Sequence, residues 1–152
     1  MNKAIPGVYS SGHAVTRHLI EVYHNLNGRF DSYTDDHVLQ EVISHWRYLP
    51  AAITEEEVAS WAFTVFNADL ELLSLRRGEP GGEEDFLIAG VYRMLRRRSL
   101  SVGDVVAVSR NGRTVRLACE ATGWRRIGGP PRMIGEPLTA TAFLRHAWCR
   151  DA

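Results

Sequence analysis

Arg96 to Ile127 reads RRRSLSVGDVVAVSRNGRTVRLACEATGWRRI, and this stretch decides how the rest of the chain is read. Asn111-Gly112 is the dipeptide that most favours a two-residue type I′ turn, because both central positions need positive φ. Alternating apolar residues flank it from Gly103 to Val108 and from Arg113 to Cys119. The turn fixes a register that pairs Val108 with Val115 and Val106 with Leu117 on one face, and Ala107 with Arg116 on the other. The valine and leucine face is the expected core face, and Cys119 turns toward it.

Outward from the hairpin, the N-terminal half reads as helical. Val15, His18, Leu19, Val22, Tyr23 and Leu26 recur at helical spacing, with Ser10 or Ser11 as N-cap and Asn27-Gly28 as a stop. Thr34-Asp35-Asp36 offers a cap and two carboxylates ahead of Val38, Leu39, Val42, Ile43 and Trp46, and Pro50 closes that segment. Thr54 and Glu57 form a capping box, and Val58, Trp61, Ala62 and Val65 carry a third helix to about Asn67. Phe63 to Phe66 would suit a strand equally well. Glu79 to Asp85, EPGGEED, reads as an acidic loop, and Leu87 to Tyr92 as a short buried strand. After Gly128-Gly129-Pro130-Pro131, the segment Pro137 to Cys149 reads as a closing amphipathic helix. The expected fold is therefore α+β. N-terminal helices and a C-terminal helix pack on a small, mainly antiparallel sheet with a central hairpin at 103–119. One domain, 1–152, is expected, with an acidic helical part at 1–78, a basic strand-rich part at 87–127 and the closing helix at 137–149.

Net charge is zero, but unevenly spread. Residues 1–90 hold 6 Lys+Arg against 14 Asp+Glu, whereas residues 91–132 hold 10 against 2. Only Lys3 among the 18 basic residues is lysine, which fits either planar recognition of phosphate and carboxylate or a GC-rich coding genome. With 45% hydrophobic and 24% charged residues, composition is that of an ordinary globular domain. No apolar run approaches the roughly 20 residues that span a bilayer, and the opening MNKAIPGVYSSGHAV lacks the apolar core of a secretory signal. A cytoplasmic location without membrane contact is expected, with Cys119 and Cys149 reduced.

The run Arg98-Ser99-Leu100-Ser101-Val102-Gly103-Asp104-Val105-Val106, followed by Gly123-Trp124 and Ile127, resembles the RSLSVGDVV…GW pattern of YodL-like small proteins. These belong to phages, plasmids and integrative elements, particularly in actinobacteria. With Val65 to Asp69 included, the resemblance covers roughly residues 62 to 127. It implies the provenance of a phage or mobile-element accessory protein, and it carries over no activity and no catalytic residues.

The residues themselves leave two readings of that run open. Ser99, Ser101 and Asp104 beside Gly103 can satisfy backbone groups as the chain turns into a strand. With Arg96, Arg97 and Arg98 they can also form a rim for phosphate or carboxylate. Gly123-Trp124 is in the same way either a bulge with a core indole or a base-stacking platform. Arg96, Arg97, Arg98, Arg113, Arg116 and Arg125 are the expected binding patch, and Asn111 and Gly112 the structural turn. His13, His18, His24, His37, His45 and His146 show no i, i+4 pair. There is no phosphate-binding glycine loop and no nucleophile elbow, so no catalytic residue, metal or cofactor is expected. The expected function is a non-enzymatic accessory protein that binds a host or element protein. The alternative is a nucleic-acid-binding protein using the arginine-rich hairpin, and the remote alternative a metal- or Cys-dependent hydrolase.

Overall fold

The computed structural model describes residues 14–28, 30–135 and 138–139. Two long strands come first, β1 (Val15–Asn25) and β2 (Leu39–Pro50), followed by α1 (Glu55–Asn67), α2 (Leu70–Leu75) and α3 (Gly82–Met94). The chain then returns to strand in β3 (Val105–Arg110), β4 (Arg113–Cys119), β5 (Trp124–Ile127), β6 (Met133–Ile134) and β7 (Leu138–Thr139). All seven strands join one curled sheet in the order β5-β4-β3-β1-β2-β6, with β7 also on β2. Every pairing is antiparallel except those of β6 and β7, which run parallel to β2.

The expected N-terminal helices are overturned: the segments read as helical at 15–26 and 38–46 are β1 and β2, and the helices follow the strands. The physical reason lies in the strands' two faces. In β1, His18, Ile20 and Val22 are buried on one face and Tyr23 on the other, so an apolar count along the chain loses its period of two. In β2 a β-bulge adds to this. Val22 pairs with Ile43 but Tyr23 pairs with Glu41, leaving Val42 as an extra residue. The bulge shifts the alternation by one, so Leu39, Val42, Ile43 and Trp46 fall at helical intervals within a strand. Leu87 to Tyr92, expected as a strand, lies in α3, whose buried residues Ile88, Ala89, Val91 and Tyr92 follow the helical spacing. The EPGGEED segment is a loop only at its start, because Glu83, Glu84 and Asp85 form the first turn of α3, where carboxylates favour a helix N-terminus. Leu138–Thr139 is strand, not the start of a closing helix; the rest of that expected helix, and Ser10 and Ser11, lie outside the described residues.

Local chemistry does place α1 and the β3–β4 hairpin. Thr54 Oγ1 accepts from the Glu57 N–H at 3.2 Å while the Glu57 carboxylate accepts from the Thr54 N–H at 3.1 Å, a reciprocal capping box. Asn111 and Gly112 both have positive φ, 50° and 75°, and the ladder pairs Val108 with Val115, Val106 with Leu117 and Ala107 with Arg116.

The three helices lie on one side of the sheet. Ile20, Val22, Ile43, Val106, Val108, Val115 and Leu117 meet Val58, Trp61, Val65 and Phe66 of α1 and Ile88, Val91 and Tyr92 of α3 in the main core. The opposite face carries a smaller cluster of Tyr23, Tyr33, Leu39, Val105, Ala107 and Ala118, with Ile127 against it and no helical residue in it. That helix-free face is where the strands present their chemistry.

Candidate functional site

Residues 98–104 form a junction. Asp104 is only 1% exposed. Both its oxygens accept from the Arg98 guanidinium at 2.6 Å, Oδ1 also accepts the Asn25 N–H at 2.8 Å, and Oδ2 accepts the Ser101 N–H at 2.9 Å. Arg98 further reaches the Asn25 carbonyl, the Ser99 carbonyl and Ser101 Oγ at 2.9–3.1 Å. Leu100 is clasped through its backbone by the Asn67 side-chain amide, 2.7 Å at its N–H and 2.9 Å at its carbonyl. The two stretches quoted for the family resemblance thus touch. Asn25 closes the other side, its Nδ2 donating to the Gly103 carbonyl at 3.1 Å and meeting His37 Nδ1 at 2.9 Å.

Gly103 sits at φ 93°, and a Cβ there would run into the Asp31 carbonyl oxygen. Gly103→Ala therefore combines left-handed strain with a backbone clash, and is expected to lower stability by about 2–4 kcal/mol, read as a fall in the urea midpoint. A loss below about 0.5 kcal/mol would mean that the Asp31 backbone simply moves aside.

Sequence reasoning placed six arginines in one patch; the structure distributes them. Arg98 is spent on Asp104. Arg125 pairs with Glu120 and donates to the Tyr33 carbonyl at 2.7 Å. Arg97 reaches Gln40 at 3.1 Å, and Arg96 ends α3 in a left-handed conformation, φ 54°. Arg113 is exposed at the hairpin turn opposite Arg110. Arg116 lies on the helix-free face, its Nε buried without an acceptor. Two further arginines are tied to the helix side. Arg110 caps the β2–α1 connection through the Ala51 and Ile53 carbonyls, both 2.9 Å, and Arg126 meets Glu55 and Glu56. Trp124 follows Gly123, at φ 86°, and its indole N–H donates to Ser60 at 3.1 Å while the ring packs edge-on to Phe63 of α1. This favours the packing role over base stacking.

Two features of the helix-free face were not anticipated. At one end the Arg17 guanidinium stacks 3.9 Å from the centre of the Trp46 ring, and Tyr48, directly across the strand from Arg17, is 59% exposed. In the middle, Glu21 and Glu41 are diagonal neighbours across β1 and β2, and Tyr23 OH donates to Glu21 at 3.3 Å. Reading the two strands as helices hid both features, because alternate strand positions fall on different sides of a helix.

The helix side holds buried polar groups. Tyr92 OH donates to the Arg98 carbonyl, so His24 Nε2, 2.7 Å from the same oxygen, is the donor to Tyr92. Burial lowers His24 to about 4. His45, wedged against Trp61 and Phe66, has neither ring nitrogen partnered, and burial, then the nearby Arg47 charge, lowers it to about 3. Arg47 is itself held by Asp85 and Glu84 and lies over the Trp61 ring. Burial pushes the Cys119 thiol up to about 11, the opposite of what a nucleophile needs. Cys149, His13 and His146 lie outside the described residues. Among the described residues no three His, Cys, Asp or Glu side chains converge as metal ligands, and no helix is long and apolar enough to cross a membrane. In comparisons with known proteins, no family model, no curated protein and no solved structure matches this chain.

Proposed function

We propose that the protein is a non-enzymatic accessory protein of a phage or mobile element that binds a host or element protein through the Arg17–Trp46–Tyr48 end of its helix-free sheet face. The observation that carries this reading is the stacked Arg17–Trp46 pair beside an exposed Tyr48 on a face that no helix among the described residues covers. Arg, Trp and Tyr are the side chains that most often anchor protein interfaces, since each brings a large contact area together with a polar group. The nucleic-acid alternative draws less support. Arg98, Arg110, Arg125 and Arg126 are engaged by carboxylates of the chain itself, which weakens their pull on a phosphate backbone.

The test is affinity capture from the source cells with the wild-type protein and the Arg17→Glu/Tyr48→Ala variant, followed by titration of the captured partner. Loss of two anchors is expected to weaken binding by about thirtyfold or more, about 2–4 kcal/mol. Parallel titrations use random DNA and RNA across a salt series. A captured protein bound equally well by the variant, or oligonucleotide affinity that falls steeply with salt, would reject the reading.

A further inference from the structure

The middle of the helix-free face holds two carboxylates that cannot both be charged at low cost. Antiparallel pairing sets Glu21 opposite Ser44 and, past the bulge, Tyr23 opposite Glu41. Glu21 and Glu41 are thus diagonal neighbours on one face, within reach of each other's long side chains. Glu41 Oε1 is buried with no donor, and the Tyr23 hydroxyl donates to Glu21. An ionised carboxylate against another, one of its oxygens dry and unpartnered, is strongly disfavoured, whereas a single proton between them converts repulsion into an O–H···O⁻ hydrogen bond.

Among the described residues, no positively charged side chain is paired with Glu21 or Glu41. On this face β3 offers only Val105, Ala107 and Ser109. Arg116 of β4 lies beyond Ala107 in the row that starts at Glu21, and its charge acts on Tyr23. Arg125 of β5 is occupied by Glu120, and Tyr33 by Asp35. Arg17, four residues before Glu21 on β1, is stacked on Trp46. On the far side of Glu41, β6 and β7 pair with β2 at Leu39–Gln40 and Ile43–Ser44, through two residue pairs each.

We propose that Glu21 and Glu41 share one proton in the native protein, and that its loss is an alkaline switch that loosens the β2 edge where β6 and β7 dock. Burial, then the hydrogen bond and charge of Glu21, outweigh the lowering by the Tyr23 hydroxyl and raise Glu41 to about 8, so the proton stays bound at neutral pH and leaves just above it. The sign is set by linkage. A carboxyl whose native pKa lies above its unfolded value retains a proton that the unfolded chain has lost, so stability falls as pH rises toward 8 and flattens beyond it. Glu41 sits between the two shortest pairings of the sheet, and its backbone carbonyl lies 3.3 Å from where a Gly135 Cβ would stand, so repulsion between the two carboxylates acts at the joint held by fewest bonds.

The experiment is a carboxyl-carbon NMR titration of the wild-type protein with urea unfolding at each pH, repeated for Glu41→Gln. One glutamate resonance is expected to titrate near pH 8 with a coupled response in a second. The wild-type folding constant should fall by up to about tenfold per pH unit between pH 6.5 and 8. Glu41→Gln, which can donate its amide to Glu21 without a proton, should hold its folding constant over that range, and the backbone amides of Met133 and Ile134 should shift with pH in the wild type only. If every glutamate titrates between pH 4 and 5, or if Glu41→Gln declines with pH as steeply as the wild type, the shared proton does not exist. Should the variant fail to fold, the wild-type titration decides alone.

Discussion

Asp104→Ala is expected to be among the most destabilising single changes in this protein, costing about 3–5 kcal/mol. The loss is not that of one salt bridge. Without the carboxylate, the Arg98 guanidinium loses both of its charged acceptors and the Asn25 and Ser101 N–H groups are left without theirs, in a site where Asp104 itself is 1% exposed. Asp104→Asn keeps the shape and one acceptor oxygen but removes the charge, so it should lie between wild type and alanine. Arg98→Ala should cost less than Asp104→Ala, because the Arg98 side chain is 42% exposed and its removal leaves a carboxylate still bonded to two backbone N–H groups. Urea unfolding of the three variants would test the order; an alanine variant within about 1 kcal/mol of wild type would mean that Asp104 does not hold the junction.

Acid should destabilise the protein well above the usual carboxylate range. His24 and His45 are neutral in the fold and lowered to about 4 and about 3, against 6.5 for the free side chain. Between those values the unfolded chain binds protons that the native state refuses, so stability falls as pH drops below 6.5 and continues to fall to about 4. At pH 5 each histidine should remove about 2 kcal/mol. The proton shared by Glu21 and Glu41 acts with the opposite sign, so the stability curve should peak near pH 6.5 and decline on both sides. His45→Met fills the same space without a proton-accepting nitrogen. It should shallow the acid limb by about 2 kcal/mol at pH 5 and stabilise at pH 7, where two buried ring nitrogens no longer go unpaired. A variant with an unchanged acid limb would show that His45 is not the group refusing the proton.

These expectations could be reached only in part from the sequence. Asn111-Gly112 and the Thr54–Glu57 box each specify their conformation within four or five residues, through positive φ and through reciprocal backbone bonds, and both the hairpin register and α1 stand as read. β1 and β2 have no such local determinant. Their apolar residues serve two cores on opposite faces and, at the bulge, change phase, so helix and strand score alike on spacing. The β-branched and aromatic content of VTRHLIEVYHN was the indication that could have tipped the reading toward strand. Arginine density is legible in the sequence, but the partners of the arginines are not. It counts charges without their partners, and Glu55 and Glu56, which engage Arg110 and Arg126, lie more than fifty residues away from them in the chain.

The helices sit between β2 and β3, so the strand at the centre of the sheet finds one neighbour almost at once and the other only much later: Leu19 of β1 pairs with Ser109 of β3. Closing that loop before its contacts repay the entropy is slow, and the high sequence separation predicts folding in the millisecond-to-second range. During synthesis at about 5–20 residues per second, the free edge of β1 waits for several seconds before β3 emerges, with Ile20 and Val22 uncovered and one row of backbone groups unpaired. The newborn chain is therefore most vulnerable to aggregation, and most in need of a chaperone, while the Arg96–Ile127 segment is still inside the ribosome.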